Sequence, residues 1–186
     1  MIPSSEPKKP HLVVSPDERE RFLRDLVDRS SLFLEREVSV PVKGVILNPH
    51  TIDKLDLESI TSILTVEDLN KMIVAFSFQR PLLDTIFRVY SEGLRIDPTE
   101  YTALLEETAG DMINIVVGNA LSGFQKPGYA FALSTPIIIN EAKSILRYKK
   151  SELVTARIST DSGTMIVLCI TPGAYYDTRL NIEEPE

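Results

Sequence analysis

Residues 97–124 read DPTEYTALLEETAGDMINIVVGNALSGF, and the pattern is that of one long helix. Asp97 suits an N-cap, and Pro98 suits the first helical position, where its missing N–H would have had no partner. Glu100 stands at the capping-box position. At the far end Gly123 is placed to take the left-handed conformation that stops a helix, and Pro127 forbids resumption soon after. About seven turns result, at roughly 3.6 residues per turn.

The two faces of this helix differ in kind. Successive residues turn by about 100°, so Leu105, Ala109, Met112, Val116 and Ala120 share an apolar side expected to be buried. Glu100, Glu107, Asp111, Asn114, Gly118 and Gln125 fall on a narrow strip opposite, because steps of three and four residues return to one face. An ordinary solvated face would account for the carboxylates. Asn114 and Gly118 are harder to account for that way: a short amide competes for backbone hydrogen bonds, and glycine costs about 1 kcal/mol relative to alanine in a helix. A glycine one turn beyond the amide also lets another surface approach closely.

The run Asp111-Met-Ile-Asn114-Ile-Val-Val-Gly118-Asn119-Ala120 resembles the active helix of the CheC, CheX and FliY phosphatases of bacterial chemotaxis. Their signature is an acidic residue or serine, three residues, Glu, two residues, Asn. Glu107, Asp111 and Asn114 occupy those positions. Asn114 is identical, while Asp stands for the usual Glu and Glu for the usual Asp or Ser. The resemblance spans roughly residues 27–172 and implies an α+β fold, a largely antiparallel sheet packed against long helices. It further implies a CheX-like phosphatase acting on the phosphoaspartate of a CheY-type response-regulator receiver domain. Asn114 and Asp111 would be catalytic, and Glu107 and Gly118 would bind the partner. No cofactor is expected on this chain, with Mg2+ carried by the receiver. A single motif copy is closer to CheX, whose relatives typically form homodimers through their sheets.

Composition is consistent with this expectation. With 186 residues the chain is long enough for one domain with a substantial core, expected over 15–175 between a flexible tail, 1–14, and an acidic tail, 176–186. A net charge of −7 and a pI near 5.0 argue against a nucleic-acid footprint. No stretch reaches the roughly 20 apolar residues that span a bilayer, and the first thirty residues lack a signal-peptide core, so a cytoplasmic location is expected. The single cysteine, Cys169, lies in an apolar run and reads as a buried thiol. His11 and His50 are isolated, and no phosphate loop, dinucleotide fingerprint or nucleophile elbow is present.

Outward from the central helix, the neighbouring elements follow from local signals. Ser15, Pro16 and Glu18 repeat the capping logic and predict a helix to about Arg36. Residues 38–47 are β-branched but broken by Pro41 and Gly44, which suits an edge strand or irregular connection. A hairpin is expected from 60–66 and 71–78, then a helix from Pro81 to about Glu92 with Tyr90 among its buried positions and Gly93 as its stop. After the central helix come a Thr135–Ile139 strand and a final hairpin, 153–160 and 164–171, around Asp161-Ser162-Gly163 as a three-residue connection with a bulge. The second of these strands is apolar on both faces and reads as central and covered by helices. Two non-phosphatase roles fit the same residues: a module that binds a receiver or signalling assembly without hydrolysis, and a purely structural dimerisation domain.

Overall fold

The computed structural model describes residues 15–67, 71–123, 131–147 and 151–171. The expected tails, 1–14 and 176–186, Gln125, Pro127 and most of the turn at 67–70 lie outside these residues.

Chain entry is set by α1 (Pro16–Leu32). Its capping box is complete: the Glu18 N–H donates to Ser15 Oγ at 3.2 Å, and the Ser15 N–H donates to Glu18 Oε2 at 3.0 Å. The expected helix to Arg36 continues in path but not in type, because Phe33–Glu37 forms a π-helical turn. Strand β1 (Val42–Asn48) follows, with a bulge between Val42 and Gly44, and it is indeed an edge strand. The hairpin of β3 (Ile60–Val66) and β4 (Met72–Phe78) and helix α2 (Arg80–Tyr90) fall where the sequence puts them. Helix α3 spans Tyr101–Ser122, β5 Ile137–Asn140, β7 Glu152–Thr160 and β8 Gly163–Thr171. Two three-residue strands that the sequence does not predict, β2 (Lys54–Asp56) and β6 (Ser144–Leu146), pair among the described residues only with each other.

Among the described residues the main sheet has six strands in the order β1-β7-β8-β4-β3-β5, every neighbouring pair antiparallel. Period-two alternation divides each strand between two faces. Met165, Val167 and Cys169 of β8 join Met72, Val74, Phe76 and Phe78 of β4 in one core cluster with the apolar faces of the helices. Ile166 and Leu168 are equally buried but face the other way, so helices do not sandwich the central strand as its two apolar faces suggested. The second face instead carries a polar chain across the strands. Arg157 Nη1 donates to Glu58 Oε1 at 2.9 Å, the Glu58 N–H donates to Ser77 Oγ at 2.8 Å, and Thr61 and Ser77 share a hydrogen bond of 2.8 Å.

Three local expectations need correction. Asp97 caps a turn and not the helix: its Oδ1 accepts from the N–H and hydroxyl of Thr99, which holds the carboxyl below its usual range, and α3 begins four residues later without a side-chain cap. Gly123 has φ −75° and ψ −13°, a right-handed conformation, so α3 ends without a left-handed glycine. The last hairpin has a two-residue loop, because Gly163 pairs with Thr160 and takes φ 132°.

Candidate functional site

The fold seats α3 with its apolar side inward and its polar strip outward. Leu105, Ala109, Met112, Val116 and Ala120 are all buried, as their spacing predicts, and Ile113, Val117 and Leu121 widen the buried face. That width has a cause: α3 packs on β3, β4 and β5 and also touches both α1 and α2. A tyrosine fixes its start against α2. The Tyr101 hydroxyl donates to Asp84 Oδ1 at 2.8 Å, and its ring meets Phe87 edge-on at 5.1 Å.

The strip is brought to the surface as a line of groups with no internal partner. Glu107, Asp111 and Gly118 are exposed and Asn114 is half-buried. Among the described residues, the side chains of Glu107, Asp111 and Asn114 make no hydrogen bond or ion pair, whereas that of the adjacent Glu106 accepts from Asn140 Nδ2 at 2.6 Å. At Gly118 a Cβ would meet nothing within 4 Å, so the surface above it is open. On one flank, Gly110 sits beside Pro136 of the segment leading into β5.

The other flank holds what the sequence did not reveal. Tyr90, expected in the core, is 49% exposed at the end of α2. Its ring stacks on Phe33 of the π-helical turn, with centroids 6.0 Å apart. Burial of part of the ring raises the phenol's pKa, and the carboxylates of Glu37 and Asp111 raise it further. The tyrosine thus stands within electrostatic reach of the strip. A groove of about 280 Å³ opens beside it, with Phe87, Leu94, Ile96 and Leu104 supplying apolar wall and Glu107 and Asp111 its rim. Tyr90 was legible as an aromatic at a helix end; its partial exposure follows from how α1 and α2 lean on α3.

Chemically, the arrangement offers an amide and two carboxylates to something that docks from outside. Among the described residues no three His, Cys, Asp or Glu side chains come together as a metal site. No helix among them is long and apolar enough to cross a membrane.

No protein-family model and no curated protein matches the sequence. Solved structures do match the fold. CheX of Desulfovibrio desulfuricans superposes with a TM-score of 0.64 at 12% identity, over 80% of this chain and 97% of that one. A CheC-like superfamily protein of Shewanella gives 0.63 at 18% identity, over 81% and 97%. CheX of Borrelia burgdorferi, solved with CheY, BeF3 and Mg2+, gives 0.56 at 17% identity, over 82% and 98%. The α+β fold is therefore the one shared by CheX and CheC-like proteins.

Proposed function

We propose that this chain is a CheX-like phosphatase that hydrolyses the phosphoaspartate of a CheY-type receiver domain, using the strip on α3. The observation that carries the proposal is the set of exposed Glu107 and Asp111 and half-buried Asn114, whose side chains have no partner among the described residues, at the family's spacing, on a fold shared with CheX. A neighbour of that fold was solved in complex with CheY, which supports a receiver as the partner.

The chemistry asked of this chain is small. Water attacks phosphorus, the bond from phosphorus to the aspartyl oxygen breaks, and the products are inorganic phosphate and a free carboxylate. The water's proton leaves with the phosphate. The receiver supplies the phosphorylated aspartate, Mg2+ and a lysine, so what remains is positioning. The Asn114 carboxamide oxygen accepts a hydrogen bond from the attacking water and holds its lone pair toward phosphorus. Asp111 takes the receiver's lysine in a charge-assisted hydrogen bond. Aspartate is one methylene shorter than the family's glutamate, a difference of about 1.5 Å, so the helix must dock closer or share the contact with Glu107.

The homodimer belongs to the same proposal. Strands β1 and β5 are the free edges of the sheet, and Val45, Ile46 and Ile137 on them are exposed apolar residues. A cytoplasmic location follows from the partner.

Receivers encoded in the same genome, phosphorylated with acetyl phosphate, provide the test. Accelerated phosphate loss from at least one of them supports the proposal. Binding without acceleration selects the non-catalytic module, which the Asp at 111 also fits.

A further inference from the structure

The strip has neighbours of opposite charge at its two ends. Beyond Tyr90, away from the acidic groove, lies a second groove of about 240 Å³ whose wall includes Arg29, Arg36, Ile115 and Asn119, with one carboxylate, Glu37, beside the two arginines. Arg29 comes from the last turn of α1 and Arg36 from the π-helical turn that follows. Both are exposed, and neither side chain makes a hydrogen bond or ion pair among the described residues. Ile115 is 44% exposed between them and the strip. Tyr90 is in the wall of both grooves, held by its stack on Phe33. From Asp111 to Asn119 the helix rises about 12 Å, so the two grooves lie along one flank of the strip.

We propose that the two grooves meeting at Tyr90 form a polar docking surface for the receiver, which sets a basic side chain with an apolar neighbour against Glu107 and Asp111 and an acidic side chain against Arg29 and Arg36. This rests on the phosphatase reading for the identity of the partner. Charge complementarity carries it: the carboxylates of Glu107 and Asp111 rim one groove, two guanidiniums outnumber the single Glu37 carboxylate in the wall of the other, and apolar surface lies beside each. A partner with the matching pair of charges fits in one orientation only. Reversed by half a turn, it sets like charges together at both ends. Tyr90 is the rigid aromatic between them, of the kind that anchors interfaces. In this arrangement Asn114 needs no lock of its own, because the grooves fix the direction from which phosphorus arrives.

The test uses the full chain and the phosphorylated receivers named above. In Arg29→Glu/Arg36→Glu, KM for the receiver should rise at least about tenfold while kcat changes little, and Arg29→Lys/Arg36→Lys should stay near wild type. Tyr90→Ala should also raise KM. Added salt should weaken wild-type binding more than that of the charge-reversed variant. Arg29→Gln and Arg36→Gln, each removing one exposed charge, serve if the double reversal does not fold. Unchanged KM in these variants overturns the docking surface and leaves the phosphatase reading standing. If wild type binds a receiver without hydrolysing its phosphoaspartate, the phosphatase reading fails, and the same substitutions read on Kd still decide the surface. Self-association of the chain lost on charge reversal, with receiver binding intact, assigns the grooves to a second copy and overturns the proposal. Binding to no receiver overturns both.

Discussion

Asp111 and Glu107 stand one turn apart on α3 and neither is committed to the fold, so their substitution should change function without changing stability. Glu107→Ala should slow receiver turnover about tenfold, the equivalent of ~1.4 kcal/mol, if its carboxylate shares the lysine with Asp111. An unchanged rate removes that sharing. Asp111→Glu should hold or raise the rate, and a marked loss means that the shorter side chain is matched to its partner. Tyr90 reports on the same neighbourhood. Its phenol is held protonated in part by Asp111, so Asp111→Asn should lower the Tyr90 pKa, read by ultraviolet titration against a Tyr90→Phe blank. No shift would place the ring away from the strip. Glu107, Asp111 and Asn114 were legible because helix geometry alone puts such a spacing on one face. Arg29, Arg36 and Tyr90 were not, since their approach to the strip depends on how three helices pack.

At the scale of elements, the signals that survived were those satisfied within a few residues. The Ser15 box closes on itself, and Ser15→Ala should cost about 1 kcal/mol in chemical denaturation. The Asp97 box did not form: Asp97 Oδ1 accepts from both the N–H and the hydroxyl of Thr99 and closes a turn before α3 starts. Gly163 shows the opposite case, a glycine whose role depends on the fold. It has φ 132°, and a Cβ there would meet Gln79 Oε1 at 3.1 Å and Leu82 at 3.4 Å. Gly163→Ala should therefore destabilise by about 1–3 kcal/mol, combining strain with crowding at the start of α2. A midpoint within error of wild type would show that the loop relaxes freely. Strands β2 and β6 escaped notice because three residues are too few for alternation to register.

For the whole molecule, strand order is the property that local patterns do not contain. Alternation marks which strands are covered, yet only long-range pairing sets β8 between β7 and β4 and leaves β1 and β5 at the edges. Burial of Cys169 is one consequence that was read correctly, and it has a measurable effect. Burial pushes this thiol up to about 12 from a usual 9.0, the nearby Arg19 opposing only in part. The folded pKa is raised, so the unfolded chain loses its thiol proton first. Stability should be intact below pH 9 and fall as pH rises from there toward 12, with Cys169→Ala flattening the decline. Equal slopes for the two proteins would assign the loss to other groups.

The half-buried amide of Asn114, whose side chain has no hydrogen bond among the described residues, is the group on which hydrolysis depends. The most direct measurement is the decay of a phosphorylated receiver alone, with wild type, and with Asn114→Ala, thermal unfolding being followed in parallel. Wild type should shorten the phosphoryl lifetime, and Asn114→Ala should bring it back to that of the receiver alone at an unchanged unfolding temperature. An Asn114→Ala protein that still accelerates the decay as wild type does would contradict the mechanism.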